Sequence, residues 1–247
     1  EFNPSEKPQI HLVKGNFKDI DVILKKIKIK KVDAILADLG WRLEQVKDEK
    51  YGMSFQVDAP LDMRLGKEGE LMAGEIVNSW DKRDLAEIFF KYGEEKNSRK
   101  IARAIVDFRK NKKIETTKEL AEIIEKVNKN FSRKGFNPAT KVFQALRIVV
   151  NDELGNLEKF LEKSIEILNK QGRIGIISFH SLEDRLVKKF FRVNTRGCIC
   201  PKELPICVCD SKRKLKIITK KPVMAGEEEL KKNPRARSAK FRIAERV

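Results

Sequence analysis

Two short apolar runs, IHLVKGN at 10–16 and VDAILADL at 32–39, enclose the stretch FKDIDVILKKIKIKK, in which Ile20, Ile23, Leu24 and Ile27 recur at helical spacing. Apolar runs of this length ending in a small or acidic residue predict buried parallel strands, and the order strand, helix, strand predicts a right-handed crossover. The alternation then stops. It returns far downstream in ELGNLEKFLEKSIEILN, with Leu154, Leu157, Leu161 and Leu168 on one helical face, after which QGR turns the chain into a strand over 174–179, IGIISF. A doubly wound α/β domain whose two parts stand at opposite ends of the sequence must be interrupted by something of another kind.

The interruption is helical. Between Ser79 and Asn128 the segments DKRDLAEIFFKYGEE, RKIARAIVDFRK and TTKELAEIIEKV are charged and amphipathic, with no strand pattern between them. In the last, Thr116 and Glu119 stand at capping-box spacing, followed by Leu120, Ile123, Ile124 and Val127 at i, i+3, i+4, i+7. Beyond Cys209, residues 215–223 and 239–247 predict two further strands, an antiparallel pair joined by the loop MAGEEELKKNPRARS.

Composition supports a folded chain and points to a polyanionic partner. The 247 residues are 40% apolar and 37% charged, which excludes collagen-like and low-complexity classes. No apolar run approaches the roughly 20 residues a membrane-spanning helix requires, and EFNPSEKPQ lacks a signal-peptide layout, so no membrane partner and a cytoplasmic location are expected. The net charge is +17, and from Lys188 to Val247 there are 18 Lys and Arg against 6 Asp and Glu. Such a basic stretch suits phosphate, because neutralising phosphates releases counterions, although a solvated surface that aids solubility has the same composition. Nucleic acid is the first partner to test.

In an open α/β sheet, ligands bind beyond the carboxyl ends of the strands. Three such ends are visible: Gly15-Asn16-Phe17, Asp38-Leu39-Gly40 and Ser178-Phe179-His180-Ser181. Asp38 can accept hydrogen bonds from an amine or hydroxyl at the rim, or can serve as a helix cap. His180, beside Ser181, Glu183 and Asp184, fits acid–base work or substrate hydrogen bonding, and the stretch equally fits a helix start. No G-x-S-x-G elbow and no Walker loop occurs, which weakens hydrolase and nucleoside-triphosphatase readings.

All four cysteines fall within twelve residues, as Cys198-Ile-Cys200 and Cys207-Val-Cys209 around PKELPI. Two C-x-C pairs in an intracellular chain suggest a structural tetrahedral zinc site, with reduced thiols or redox pairs as the alternatives. Four thiolates would leave no open position for a catalytic water.

Eight stretches together resemble one family. VKGNF, VDAILADLG, GMSFQVDAPLDMRL, EIVN, YGEE, NPATKVFQALRIVVNDEL, GRIGIISFHSLEDRLVKKFF and KKPVMAGEEELKKNPRARSAKFRIAER run in the order found in the small-subunit rRNA (cytosine-4-amino) methyltransferases known as RsmH or MraW. The resemblance implies a class I S-adenosylmethionine (SAM)-dependent, Rossmann-like α/β sheet, N-terminally incomplete, with an inserted all-helical domain. On this reading residues 1–60 and 140–247 form the α/β domain without its first two strands, 61–139 form the helical insertion, and 196–211 form a cysteine-rich loop.

The resemblance also implies SAM as cofactor and small-subunit rRNA or a ribosomal subunit as partner, with a homodimer left open. Phe17 matches an aromatic near adenine, Asp38 the acid after the fourth strand, and Gln45 a glutamine lining the same site. The family's glycine-rich loop and ribose-binding acid have no counterpart in this sequence. Arg42 and Leu43 replace two small hydroxyl residues after the D-L-G motif, Asn137 stands where a histidine is usual, and Lys141 where an arginine is usual. Methylating the exocyclic 4-amino group of a cytidine requires hydrogen-bond acceptors at a nitrogen whose lone pair is conjugated with the ring. Asp38 is the first candidate and His180 and Asp62 are weaker ones, while Arg64 beside Asp62 fits a phosphate contact or a salt bridge. A non-catalytic RNA-binding or ribosome-associated relative that has lost cofactor binding is the alternative.

Overall fold

The computed structural model describes residues 9–40, 51–66, 71–128, 137–197, 200, 209 and 212–247. It divides into two compact units, one of Glu1–Gly40 with Leu154–Val247 and the other of Trp41–Glu153.

The first unit carries a mixed sheet. A short 3₁₀ turn, Phe17–Asp19, is capped by Asn16, whose Oδ1 accepts from the Lys18 N–H at 3.1 Å, and it leads into helix α1, Ile20–Lys26. Strand β1, Val32–Asp38, lies at one edge and pairs in parallel with β2, Leu168–Ser178, so that Asp38 stands opposite Ile177. β2 pairs antiparallel with β4, Lys240–Arg246, which pairs antiparallel with the short β3, Leu215–Ile217. The strand order is β1-β2-β4-β3. The core joins Leu157, Phe160 and Leu161, from the helix that runs from Glu153 to Ile167, to Ile174 and Ile176 of β2 and to Val187 and Phe191 of the helix Ser181–Asn194.

The second unit is helical. Helices α2 (Ala73–Ser79), α3 (Lys82–Lys91), α4 (Ser98–Arg109), α5 (Thr117–Asn128) and α6 (Ala139–Val150) bury Ile76, Leu85, Phe89, Ile101, Ile105, Leu120, Ile124 and Leu146 in one core. The capping box of α5 forms as its spacing predicts: the Glu119 N–H donates to Thr116 Oγ1 and the Thr116 N–H donates to Glu119 Oε2, both at 3.3 Å. In the first unit, the helices Glu153–Ile167 and Ser181–Asn194 are called α7 and α8.

The structure corrects the sequence reading in four places. Residues 10–16 form no strand: no described strand pairs with them, and Ile10 and Leu12 are 77% and 95% exposed, so the anticipated crossover reduces to one helix followed by one strand. An apolar run becomes a strand only where a ladder partner takes its backbone groups. Leu168 does not continue the α7 face but begins β2, and the QGR turn is an irregularity within that strand, with Gln171 at φ 65° and the pairing passing from Val32–Leu168 to Ala34–Arg173. The helical unit is also larger than 61–139. Met53 and the apolar face of α6, including Val142 and Phe143, join its core, and Arg147 closes its end on Glu153 with hydrogen bonds of 2.7 and 3.0 Å. Finally, the loop between β3 and β4 contains α9, Glu227–Lys232, and a 3₁₀ turn, Pro234–Ser238.

Candidate active site at the carboxyl ends of β1 and β2

Parallel pairing brings the ends of β1 and β2 side by side, and the chain turns out of the sheet at both. After Asp38 the Leu39 N–H still donates to the Ile177 carbonyl at 3.0 Å, which holds the rim in register. Gly40 then takes φ 112°, a conformation open to glycine and strained for other residues. A Cβ there would meet the Phe179 ring at 3.5 Å, an ordinary contact, so the demand for glycine is conformational rather than steric.

Asp38 and Phe179 face a recess of about 420 Å³ that is also lined by Met224, Glu229, Arg235 and Phe241. That volume suits a small molecule or one nucleotide base. Asp38 is exposed, so its carboxylate is available to a ligand at the rim. Gly175 shapes the neighbouring surface: a Cβ on it would fall 2.7 Å from the Phe241 ring, so its absence lets that ring lie over β2. Met224, Arg235 and Phe241 come from the segment read in sequence as a connecting loop and a strand. Their only signal was the dense match of KKPVMAGEEELKKNPRARSAKFRIAER to the family pattern.

His180 is the N-cap of α8. Its Nδ1 accepts from the Glu183 N–H at 3.4 Å, while Glu183 Oε2 accepts from the N–H groups of Phe179 and His180 at 2.9 and 3.2 Å. This reciprocal cap fixes the strand-to-helix turn that presents Phe179. One turn further on, Asp184 receives Arg242 from β4 through Nε at 2.6 Å and Nη2 at 3.2 Å, with the Lys240 ammonium at 3.6 Å. Burial alone would raise the Asp184 pKa, but the hydrogen bonds and charge of Arg242, helped by Lys240, outweigh it and hold this carboxyl below its ordinary value. The ion pair thereby ties α8 to β4 beside the recess.

The remaining candidates lie elsewhere. Phe17 is 40% exposed and packs edge-on against Phe160 of α7, with ring centroids 5.3 Å apart. Asp62 belongs to the helical unit, where its two oxygens take Arg64 Nε at 2.7 Å and Nη2 at 2.8 Å, and the Arg64 hydrogen bonds hold its carboxyl below the ordinary range. Arg64 is therefore a salt-bridge partner rather than a free phosphate contact. Gln45, Cys198 and Cys207 lie outside the described residues, while Cys200 and Cys209 are partly buried and not joined in a disulfide. Among the described residues no helix is long and apolar enough to cross a membrane.

Comparison with known proteins agrees with the fold and extends it. The MraW methylase family model matches residues 2–247. Ribosomal RNA small subunit methyltransferase H of Brevibacillus brevis is 46% identical over 240 residues, covering 97% of this chain and 76% of the relative. The proteins of the same name from Halothermothrix orenii and Desulforapulum autotrophicum are each 50% identical, over 239 and 240 residues, covering 96% of this chain and 77% of each relative. The four-stranded mixed sheet with its helical insertion is consistent with the class I SAM-dependent methyltransferase fold of that family. With a match along nearly its whole length, the chain belongs to the MraW methylase family.

Proposed function

We propose that this protein transfers a methyl group from SAM to the exocyclic 4-amino group of a cytidine in small-subunit rRNA, at the recess beyond β1 and β2. The observation that carries the reading is the exposed Asp38 carboxylate at the rim of that recess, in a chain whose relatives are named as small-subunit rRNA methyltransferases. Asp38 offers an acceptor at the recess, which fits part of the cofactor, while Phe17 does not line the recess and enters as a partly exposed aromatic through the family match. Gln45 joins them through the family match alone. When bound, SAM supplies an electrophilic methyl group on a sulfonium centre.

The protein's own task is then positional. The amino lone pair of cytosine is delocalised into the ring, so the nitrogen is a poor nucleophile until its hydrogens are held and its lone pair aimed. Asp38 accepts one amino hydrogen, which favours the charge that develops on nitrogen and fixes its direction. Phe179 and Phe241 supply apolar walls and Arg235 a cation for a phosphate or carboxylate at the same recess. His180 serves this site through the α8 cap, by holding Phe179 in place. Asp62, already engaged by Arg64, has no assigned part in the chemistry.

The test is methyl incorporation from labelled SAM into small ribosomal subunits that lack the modification, alongside calorimetry of SAM binding. Asp38→Asn should lower incorporation by about 100-fold. Full activity in that variant would remove Asp38 from the reaction. A parent protein that binds rRNA but neither binds SAM nor transfers methyl would establish the non-catalytic alternative instead. The two C-x-C pairs support, on their spacing, a structural zinc; metal analysis of protein purified without chelator should find one zinc per chain, and none would reject it.

A further inference from the structure

On the helical unit, α3 and α4 border an open groove of about 930 Å³ whose lining is strongly one-signed. Lys82 and Arg83 come from the first turn of α3, Lys96 precedes α4, and Arg99, Lys100 and Arg103 come from α4; Glu87 is the one acid among the lining residues. Arg83 pairs with Asp84 at 3.7 Å and Arg103 with Asp107 at 3.6 Å in the solvent, the arginine side chains being 87% and 78% exposed. Exposed pairs of this kind are worth little and are readily exchanged for phosphate. On α5, by contrast, Glu119, Glu122 and Glu125 outnumber Lys118 and Lys126. The positive groove is a local feature of the helical unit rather than a reflection of its overall charge.

The apolar part of the groove is equally specific. α3 carries two consecutive phenylalanines with opposite fates: Phe89 is fully buried in the helical core and Phe90 is 65% exposed in the groove, one turn beyond Ala86. A large aromatic exposed among six cations offers a face on which another ring can stack. Nucleic-acid bases stack on such a ring while the adjoining cations take the phosphates.

We propose that the α3–α4 groove is a second RNA-binding surface, one that takes a single-stranded segment with a base stacked on Phe90 and its backbone along Lys96, Arg99 and Arg103. The choice of RNA rests on the reading of this protein as an rRNA methyltransferase, but binding at the groove does not require methyl transfer. Single-stranded RNA is favoured over duplex because a base must be free to reach the ring.

The test uses the full 247-residue chain and a fluorescein-labelled 20-nucleotide single-stranded RNA of mixed sequence, read by anisotropy across salt concentrations. Lys96→Glu, Arg99→Glu and Arg103→Glu combined should weaken binding at least tenfold and flatten the dependence of log K on log salt by about 2, near 0.7 for each lost phosphate contact. Phe90→Ala should weaken binding about tenfold with the salt slope unchanged, and its effect should vanish on duplex RNA. Lys118→Glu with Lys126→Glu, equally exposed on α5, should leave both affinity and slope near those of the parent. Unchanged affinity and slope in the triple variant would overturn the proposal, as would an equal loss in the α5 control. A loss at Phe90 that is the same on duplex RNA would overturn the stacking role. Because Asp38→Asn leaves the groove untouched, a protein inactive for methyl transfer but sensitive to these groove substitutions would fail the catalytic reading and sustain this one.

Discussion

Arg242→Met is the substitution whose consequence follows most directly from the structure of the sheet unit. Arg242 is buried at 7% exposure, and the Asp184 side chain it holds is only 13% exposed. Methionine preserves most of the volume and removes both hydrogen bonds, leaving Asp184 desolvated with the Lys240 ammonium at 3.6 Å and the first turn of α8 as its remaining support. Stranding one member of a fully buried pair costs about 3–5 kcal/mol, and with Lys240 and the helix terminus still beside a partly buried Asp184 the loss here should be about 2–3 kcal/mol. With a urea slope of about 2 kcal/mol per molar, the unfolding midpoint should fall by about 1–1.5 M.

The pH dependence separates this cause from simple mispacking. In the parent protein the Asp184 pKa is depressed, so its contribution to stability is present above the unfolded carboxyl value and is lost as pH falls through the lower folded value. In the variant the largest opposing influence, burial, is left with Lys240 and the first turn of α8 against it, so the folded pKa rises. The variant's penalty should therefore be full at pH 7 and should shrink towards pH 4 as Asp184 takes up a proton. Both tryptophans and both tyrosines lie between residues 41 and 92, in the helical unit, so fluorescence is blind to the sheet. The assay is urea unfolding followed by far-ultraviolet circular dichroism, with hydrogen exchange of the β4 amides as a local readout. A penalty of equal size at pH 7 and pH 4 would refute the electrostatic account, and an unchanged midpoint would refute the pair's importance altogether.

Two further outcomes follow from burial and backbone geometry. Phe89→Ala should cost about 3–5 kcal/mol through the cavity left in the helical core, visible as an earlier tryptophan fluorescence transition, whereas Phe90→Ala should stay within about 0.5 kcal/mol of the parent; equal losses at the two positions would contradict the inward and outward assignment. Gly40→Ala should cost about 1–2 kcal/mol, since the Cβ finds room near Phe179 but the positive φ does not suit alanine; a stability gain by calorimetry would show that the rim adopts a different backbone conformation.

Local signals read well where one segment settles its own structure. The Thr116–Glu119 cap, the buried face of α5 and the antiparallel pairing of β3 with β4 all follow from spacing within short windows. Sequence and structure part where the outcome depends on a distant partner. Residues 10–16 carry a strand's composition, but a strand is a relation between two segments, and periodicity within one of them does not report on the other. Met53, Val142 and Phe143 look no different from residues of the sheet unit's core; only the packing of α6 against the other helices assigns them to the helical core. At the site, Asp38 was visible because it ends an apolar run, whereas Met224 and Arg235 were not, because their stretch is polar, short-period and placed at the recess by the β3–β4 connection.

If the protein methylates one cytidine as proposed, the two candidate surfaces would divide a task that one could not do alone. Asp38 and its apolar neighbours form a recess of about 420 Å³, enough for a small molecule or one nucleotide base but small beside an RNA substrate. Such a site discriminates chemistry, not location, since every cytidine carries the same amino group. Selecting one cytidine requires contacts to the surrounding nucleotides, and those contacts must be numerous and individually weak if product is to leave. Exposed lysines and arginines meet that requirement because each phosphate contact is modest and salt-sensitive, while a single exposed ring such as Phe90 adds registration without reading sequence. The helical insertion, whose described residues contribute no strand to the sheet, would contribute a groove of the kind this selection needs.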